Sequence, residues 1–288
     1  MRSRPSSAAH TRRGWSLRAG FATAALLLSL TVAIMFLVFP GIDLQVSRPF
    51  YVGDRVFSGQ SIAWVKIVRT AFAASFCCFI VATILGVIFT GRRGHTWLRL
   101  PFAHWVYLAI CLAAGPGLVA NLGFKDHWGR ARPKDVIEFG GKKMFTPPLT
   151  RTDQCDNNCS FVSGEAASVF VPFYAMALLL PQLGPVLLAA GTICGLAAGL
   201  IRIAQGAHFL SDVIFASIFM LMTVVLVHFA VFRSRPAGEE ATNEVAFLNG
   251  VAQELSNDCL GPVRAAARIC TSTHQSTSPT GVRGSDVP

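Results

Sequence analysis

GPVLLAAGTICGLAAGLIRIAQGAHFLSDVIFASIFMLMTVVLVHFAVF, from Gly184 to Phe232, is two apolar runs hinged on a short polar turn. Each run is long enough to cross a bilayer, which takes ~20 apolar residues of helix. The hinge carries Arg202, His208 and Asp212. Charged and titratable groups are expensive at membrane depth and mark function there. Two spanning helices joined by a chemically loaded turn set the reading of everything upstream.

The same pattern repeats along the chain. Apolar runs at residues 21–39, 70–90, 102–124, 166–180, 184–203 and 209–232 predict six transmembrane helices. The fourth run is the shortest, and its start falls between Ser160 and Ala166. With 52% hydrophobic and 14% charged residues and a mean hydropathy of +0.51, the chain reads as an all-α integral membrane protein and not as a soluble domain. The formal net charge of +10 does not point to nucleic acid, because no nucleic-acid-binding motif accompanies it. Its arginines flank the apolar runs instead. Arg2, Arg4, Arg12, Arg13 and Arg18 precede the first, Arg92, Arg93 and Arg99 follow the second, and Arg233 and Arg235 follow the sixth. In a six-span chain these groups fall on one side, which the positive-inside rule makes cytoplasmic. The N-terminal run exceeds a signal-peptide core and has no clear cleavage site after it, so it is an uncleaved span. Three regions follow: a basic cytoplasmic arm at 1–20, a membrane domain at 21–235, and a polar cytoplasmic tail at 236–288 whose composition predicts disorder.

Three polar segments are then left on the opposite, external side. In IRIAQGAHFLSD (Ile201 to Asp212), His208 and Asp212 stand four apart, one helical face. A carboxylate there can orient an imidazole and leave its other nitrogen as a nucleophile. Arg202 sits one short turn away with a fork that suits phosphate oxygens. In KDHWGRARP (Lys125 to Pro133), Lys125, Arg130 and Arg132 crowd the side where positive charge is disfavoured, which argues for a bound anion. In SFVSGEAAS (Ser160 to Ser168), Ser163 and Gly164 open an apolar run and resemble the anion-accepting start of a helix. The bland readings are a buried His–Asp pair tying two helices together and basic side chains snorkelling to headgroups. Cys155 and Cys159 precede the second segment and are either a disulfide, if that side is oxidising, or two free thiols.

In this order the segments resemble the type 2 phosphatidic acid phosphatase family, which shares its core with vanadium haloperoxidases. The family pattern is K-x6-R-P, then P-S-G-H, then S-R-x5-H-x3-D. Lys125, Arg132 and Pro133 match the first block; Arg202, His208 and Asp212 match the third, with Ile201 in the serine position. The likeness covers about residues 100–230. It implies a helical-bundle phosphatase with no metal or other cofactor. His208 would attack phosphorus and become a phosphohistidine, and Asp212 would orient it. Lys125, Arg130, Arg132, Ser163, Gly164 and Arg202 would hold the phosphate. The second block departs from the family: Glu165 stands where the family histidine protonates the leaving oxygen. Glu165 is therefore one candidate acid and His127 another, with a site lacking any acid as the third alternative.

The forms KDHWGRARP and NCSFVSGEAAS look like the branch of the family that acts on lipid A, chiefly at its 4'-phosphate, in Gram-negative inner membranes. That implies a lipid phosphate substrate and a periplasmic site. Undecaprenyl pyrophosphate and phosphatidylglycerophosphate are the alternative substrates. A lipid phosphotransferase using the same histidine, and a non-catalytic lipid-binding or transport protein, are the alternative activities.

Overall fold

A computed structural model describes residues 27, 29–93 and 96–232. The basic arm, the tail at 236–288, the first residues of the first predicted span, and the flanking Arg233 and Arg235 lie outside the described residues.

The described chain is almost wholly helical. Helix α1 (Ser29–Val38) bends by 86° at Phe39 and Pro40 into the short α2 (Gly41–Ser47). Proline cannot continue a helix from its own nitrogen, so the break falls where the sequence puts it. A two-stranded hairpin follows, β1 (Tyr51–Gly53) against β2 (Val56–Phe57), antiparallel. Helix α3 (Ala63–Arg93) is 31 residues long. Helix α4 (Phe102–Leu112) continues as a π-helix over Ala113–Lys125 around Pro116. A long loop with two 3-10 turns, Pro133–Asp135 and Ile137–Phe139, leads to α5 (Gly164–Leu179). Helices α6 (Gly184–Ala204) and α7 (Leu210–Phe232) complete the described bundle.

Four helical stretches are long and apolar enough to cross a membrane: Ala63–Gly91, Phe102–Lys125, Gly184–Ala204 and Leu210–Phe232. The bent α1–α2 pair makes a fifth if it is one span. The protein is thus a multi-pass membrane protein with four to five candidate spans, where the sequence predicts six. The difference lies in α5. Its 16 residues rise about 24 Å at 1.5 Å each, short of the ~30 Å hydrocarbon core. Helix α5 instead packs inside the bundle against α3, α4, α6 and α7.

Close packing of α5 is set by a small-residue stripe on α6. Gly191, Gly195 and Gly199 recur every four residues on one face. A Cβ on Gly191 would come within 2.5 Å of Phe173, and one on Gly195 within 2.2 Å of Phe170. One on Gly199 would meet Val213 of α7 at 2.2 Å. Beneath the polar end of the bundle lies an aromatic floor in which Phe124 stacks on Phe219 at 4.7 Å and Trp128 on Phe161 at 5.4 Å. The segment at 41–61 folds against this end, with Phe57 fully buried.

Candidate active site

The last residue of the π-helical half of α4, the first turn of α5, the last turn of α6 and the first of α7 meet at one end of the bundle. The α6–α7 turn can be tight because Gly206 adopts φ +65°, a left-handed conformation, and because a Cβ there would strike the Phe57 ring at 2.4 Å. The Ala207 N–H donates to the Arg202 carbonyl at 3.0 Å and closes the turn. Arg202 and His208 are brought together this way, both buried. His208 is electrostatically coupled to Arg202 and Arg132, and Lys125 to the same two arginines. The four residues singled out by spacing therefore share one site.

His208 Nδ1 lies 2.7 Å from the Ser160 carbonyl oxygen and 3.7 Å from Asp212 Oδ2. A carbonyl oxygen only accepts, so Nδ1 carries the proton and Nε2 keeps its lone pair. The expected direct Asp212–imidazole hydrogen bond is replaced by a relay. The Ser160 hydroxyl donates a short hydrogen bond to Asp212 Oδ2, and the Phe209 N–H donates to the same oxygen at 2.7 Å. Asp212 thus fixes the backbone on both sides of the imidazole. Burial holds the His208 imidazole below the ordinary histidine range, more than the Asp212 carboxylate offsets, which favours the neutral nucleophilic form.

Arg130 is a correction to the sequence reading. It is fully buried, with no surface left for a phosphate. Its Nη1 donates to Asp212 Oδ1 at 2.5 Å and to Ser211 Oγ at 2.8 Å, and its Nη2 to Asp43 Oδ2 at 2.8 Å. Its Nε donates to the Thr146 carbonyl at 3.0 Å, and the Phe209 ring lies 4.6 Å from the guanidinium. Arg130 is the cation of a buried Asp43–Arg130–Asp212 triad. Asp43, which sequence reasoning missed, also accepts the Ser211 N–H at 2.8 Å and so holds the start of α7. Its signal was a single charged residue in the otherwise uncharged run GIDLQV.

The remaining cations are held with donors to spare. Arg132 Nε and Nη2 both donate to the Asn158 carbonyl, at 3.1 and 2.7 Å. Asn158 sits in a loop closed by a disulfide between Cys155 and Cys159, and the Cys159 N–H bonds the Lys125 carbonyl at 3.1 Å. Arg202 Nη1 donates to Gln205 Oε1 at 2.5 Å, while its buried Nε makes no hydrogen bond. Ser163 Oγ is likewise buried and unpartnered. An unsatisfied buried hydroxyl is costly, and beside these cations Ser163 Oγ suits a bound anion. A Cβ on Gly164 would lie 3.5 Å from Lys125 Nζ, an ordinary contact, so the ammonium stands beside the helix start.

Glu165 is not placed as an acid. Arg69 of α3 clamps it from Nε, 3.1 and 3.0 Å to its two oxygens, and from Nη2 at 2.7 Å, while Arg202 Nε lies 3.5 Å away. A carboxylate held by a guanidinium fork is an acceptor, with no proton to give. His127, the other candidate, is exposed and has Nδ1 against the Leu122 carbonyl at 2.7 Å. Arg69 escaped the sequence reading because the second span was started at residue 70; an arginine immediately before that apolar run was its signal.

Two cavities open here. One of about 430 Å³ is lined by Arg55, Arg69, Arg132, Lys134 and Arg202. The other, about 500 Å³, runs down the bundle between Phe72 and Phe76 of α3, Val169 of α5 and Ala198 and Ile201 of α6. Arg69 borders both.

A single buried histidine ringed by cations, next to a groove of apolar side chains, defines a membrane phosphoryl-transfer site. Residues 103–236 match the PAP2 superfamily. A lipid A 4'-phosphatase of Francisella tularensis subsp. novicida is 36% identical over 207 residues, covering 70% of this chain and 91% of that protein. A lipid A 4'-phosphatase of Rhizobium leguminosarum is 29% identical, covering 62% and 83%. The crystal structure of a transmembrane PAP2-type phosphatidylglycerolphosphate phosphatase from Bacillus subtilis is 18% identical, with a TM-score of 0.49 over 75% of this chain and 98% of that one. The chain belongs to the PAP2 superfamily. It is a phosphoric monoester hydrolase of that family.

Proposed function

We propose that the protein removes a phosphate from lipid A, at the 4'-position, on the periplasmic face of the inner membrane. The observation that carries the chemistry is His208: buried, with Nδ1 tied to a carbonyl and Nε2 free, beside three cations and an unpartnered serine hydroxyl. The support for the substrate is the likeness to two lipid A 4'-phosphatases over most of their length. The apolar groove beside Arg69 suits an acyl chain, which would bring the phosphate to the cations at the membrane surface.

His208 Nε2 attacks phosphorus, forming a P–N bond as the P–O bond to the sugar breaks. Lys125, Arg132, Arg202, the Ser163 hydroxyl and the Gly164 N–H take up charge on the phosphoryl oxygens, the usual source of rate in phosphoryl transfer. Glu165 fixes Arg69 and Arg202 as its counter-ion, and these guanidiniums stabilise the departing oxygen until water protonates it. A second water then cleaves the P–N bond and releases phosphate. Asp212 keeps the imidazole aligned through Ser160 and Phe209.

The test uses purified full-length protein in detergent with EDTA, incubated with bis-phosphorylated lipid A beside His208→Ala. Mass spectrometry locates the missing phosphate. Loss of the 4'-phosphate only with intact His208 is the expected result. Turnover confined to undecaprenyl pyrophosphate or phosphatidylglycerophosphate would overturn the substrate, and turnover that survives His208→Ala would overturn the mechanism.

A further inference from the structure

The cationic cavity is larger and more charged than one phosphate requires. At about 430 Å³ it is the size of a ligand pocket, whereas a water in the liquid occupies only about 30 Å³. Two of its cations, Arg132 and Arg202, belong to the phosphate-holding set described above. Arg69 is occupied by Glu165. Arg55 and Lys134 belong to neither, and they form the far wall.

That wall is built rather than incidental. Arg55 sits in the β1–β2 turn at φ +66°, a conformation uncommon for a residue with a side chain. The turn is anchored by Arg55 Nη2 to Asp135 Oδ1 at 2.5 Å and Nε to the Lys134 carbonyl at 3.1 Å. The Lys134 N–H in turn bonds the Gly206 carbonyl at 3.1 Å, two residues from His208. Gln60, from the segment after the hairpin, donates to the Gln205 carbonyl at 3.0 Å and closes the same edge. The hairpin is thereby stapled to the catalytic turn. The carboxylate on this wall, Asp135, is paired with Arg55. Lys134 follows directly on the Arg132–Pro133 pair, lines the cavity, and makes no side-chain hydrogen bond or ion pair among the described residues.

We infer that Lys134 and Arg55 form a second anionic subsite, which takes a phosphate or carboxylate carried by the same headgroup as the scissile phosphate. The inference rests on the phosphatase reading above and adds a selection rule to it: the protein prefers polyanionic glycolipid headgroups over lipids with one phosphate. Arg55 and the hairpin lie outside the matched region at 103–236, whereas Lys134 lies inside it. An ammonium with no protein partner at the rim of this cationic cavity is available to an entering anion.

The experiment compares KM and kcat of the full-length protein on bis-phosphorylated lipid A and on lipid A that carries the 4'-phosphate alone. Wild type should show the lower KM on the bis-phosphorylated lipid. Lys134→Gln should raise that KM about tenfold more than it raises KM on the mono-phosphorylated lipid, as expected for one lost charge-assisted contact. Arg55→Gln should act in the same direction, and because it also loosens the hairpin, Lys134→Gln is the deciding variant. Equal KM changes on both lipids, or none on either, with wild-type turnover intact, would overturn the subsite alone. Wild type turning over neither lipid would overturn the phosphatase reading and the subsite with it.

Discussion

Arg130 and Arg132 are two residues apart in one motif and have opposite fates. Arg130 is sealed between Asp43 and Asp212, whereas Arg132 leans on one carbonyl and keeps donors free. Removing one partner of a buried ion pair leaves a stranded charge and costs about 3–5 kcal/mol. Asp43→Ala is therefore expected to lower the unfolding temperature in detergent sharply. Arg132→Gln should leave that temperature near wild type and lower kcat/KM by about 10²–10³-fold, the usual loss for a transition-state donor. Thermal unfolding and steady-state kinetics on both variants check this; a stable Asp43→Ala protein would refute the brace. The pH profile follows from His208. Only the neutral imidazole attacks, so kcat/KM falls as pH drops through the His208 pKa, and burial puts that limb below the ordinary value of ~6.5. Glu165→Gln should preserve any basic limb, because Glu165 is a counter-ion; a limb that disappears in this variant would restore it as the acid. Spacing alone made His208, Asp212, Lys125, Arg132 and Arg202 legible. Whether Arg130 faced phosphate or core was not legible, because the decision rests with Asp43, eighty-seven positions away.

At the level of elements, the loop closed by Cys155 and Cys159 supports the phosphate site without touching it. Its Asn158 carbonyl takes two hydrogen bonds from Arg132, and its Cys159 N–H fixes the backbone of Lys125. Opening the loop should release Arg132 and raise KM several-fold while the helices stay intact. Dithiothreitol treatment of wild type, with a Cys155→Ser Cys159→Ser protein as the control, checks it by kinetics and far-UV circular dichroism. Unchanged KM after reduction would mean that other contacts hold Arg132. The sequence placed the two cysteines beside the site and left their pairing open. It located five of the helices to within a few residues, except that α3 begins seven residues before the predicted span, at Ala63. What it could not supply was the π-helical winding of Ala113–Lys125 or the inward course of α5. Both depend on neighbours: α5 is apolar enough to span but is enclosed by other helices, so its length answers to the bundle and not to the lipid.

The whole molecule decides how many times the chain crosses. Lys125 ends the apolar stretch that starts at Phe102, and Arg202 ends α6, both at the site; α5 and α7 begin there. Helix α5 must then run away from the site to reach the start of α6, whose 21 residues span. A sixth crossing, inside the bundle, is therefore the expectation for α5, whose 16 residues fall short of the bilayer thickness. Helix α2 is pinned to the site by Asp43, which sets the C-terminal end of α1 at the same face. Six crossings follow if α1 and the residues before it traverse the membrane, with both chain ends on the face opposite the site. By the positive-inside rule, the basic flanks are expected to put that face in the cytoplasm. A membrane-impermeant maleimide applied to cells with only the outer membrane permeabilised should label a Lys142→Cys variant, in the loop between α4 and α5. Under the same conditions it should miss the native Cys259 and Cys270 of the tail until the inner membrane is opened. Labelling of the tail together with Lys142→Cys in sealed cells would mean that α7 does not cross, and labelling of the tail alone would invert the orientation.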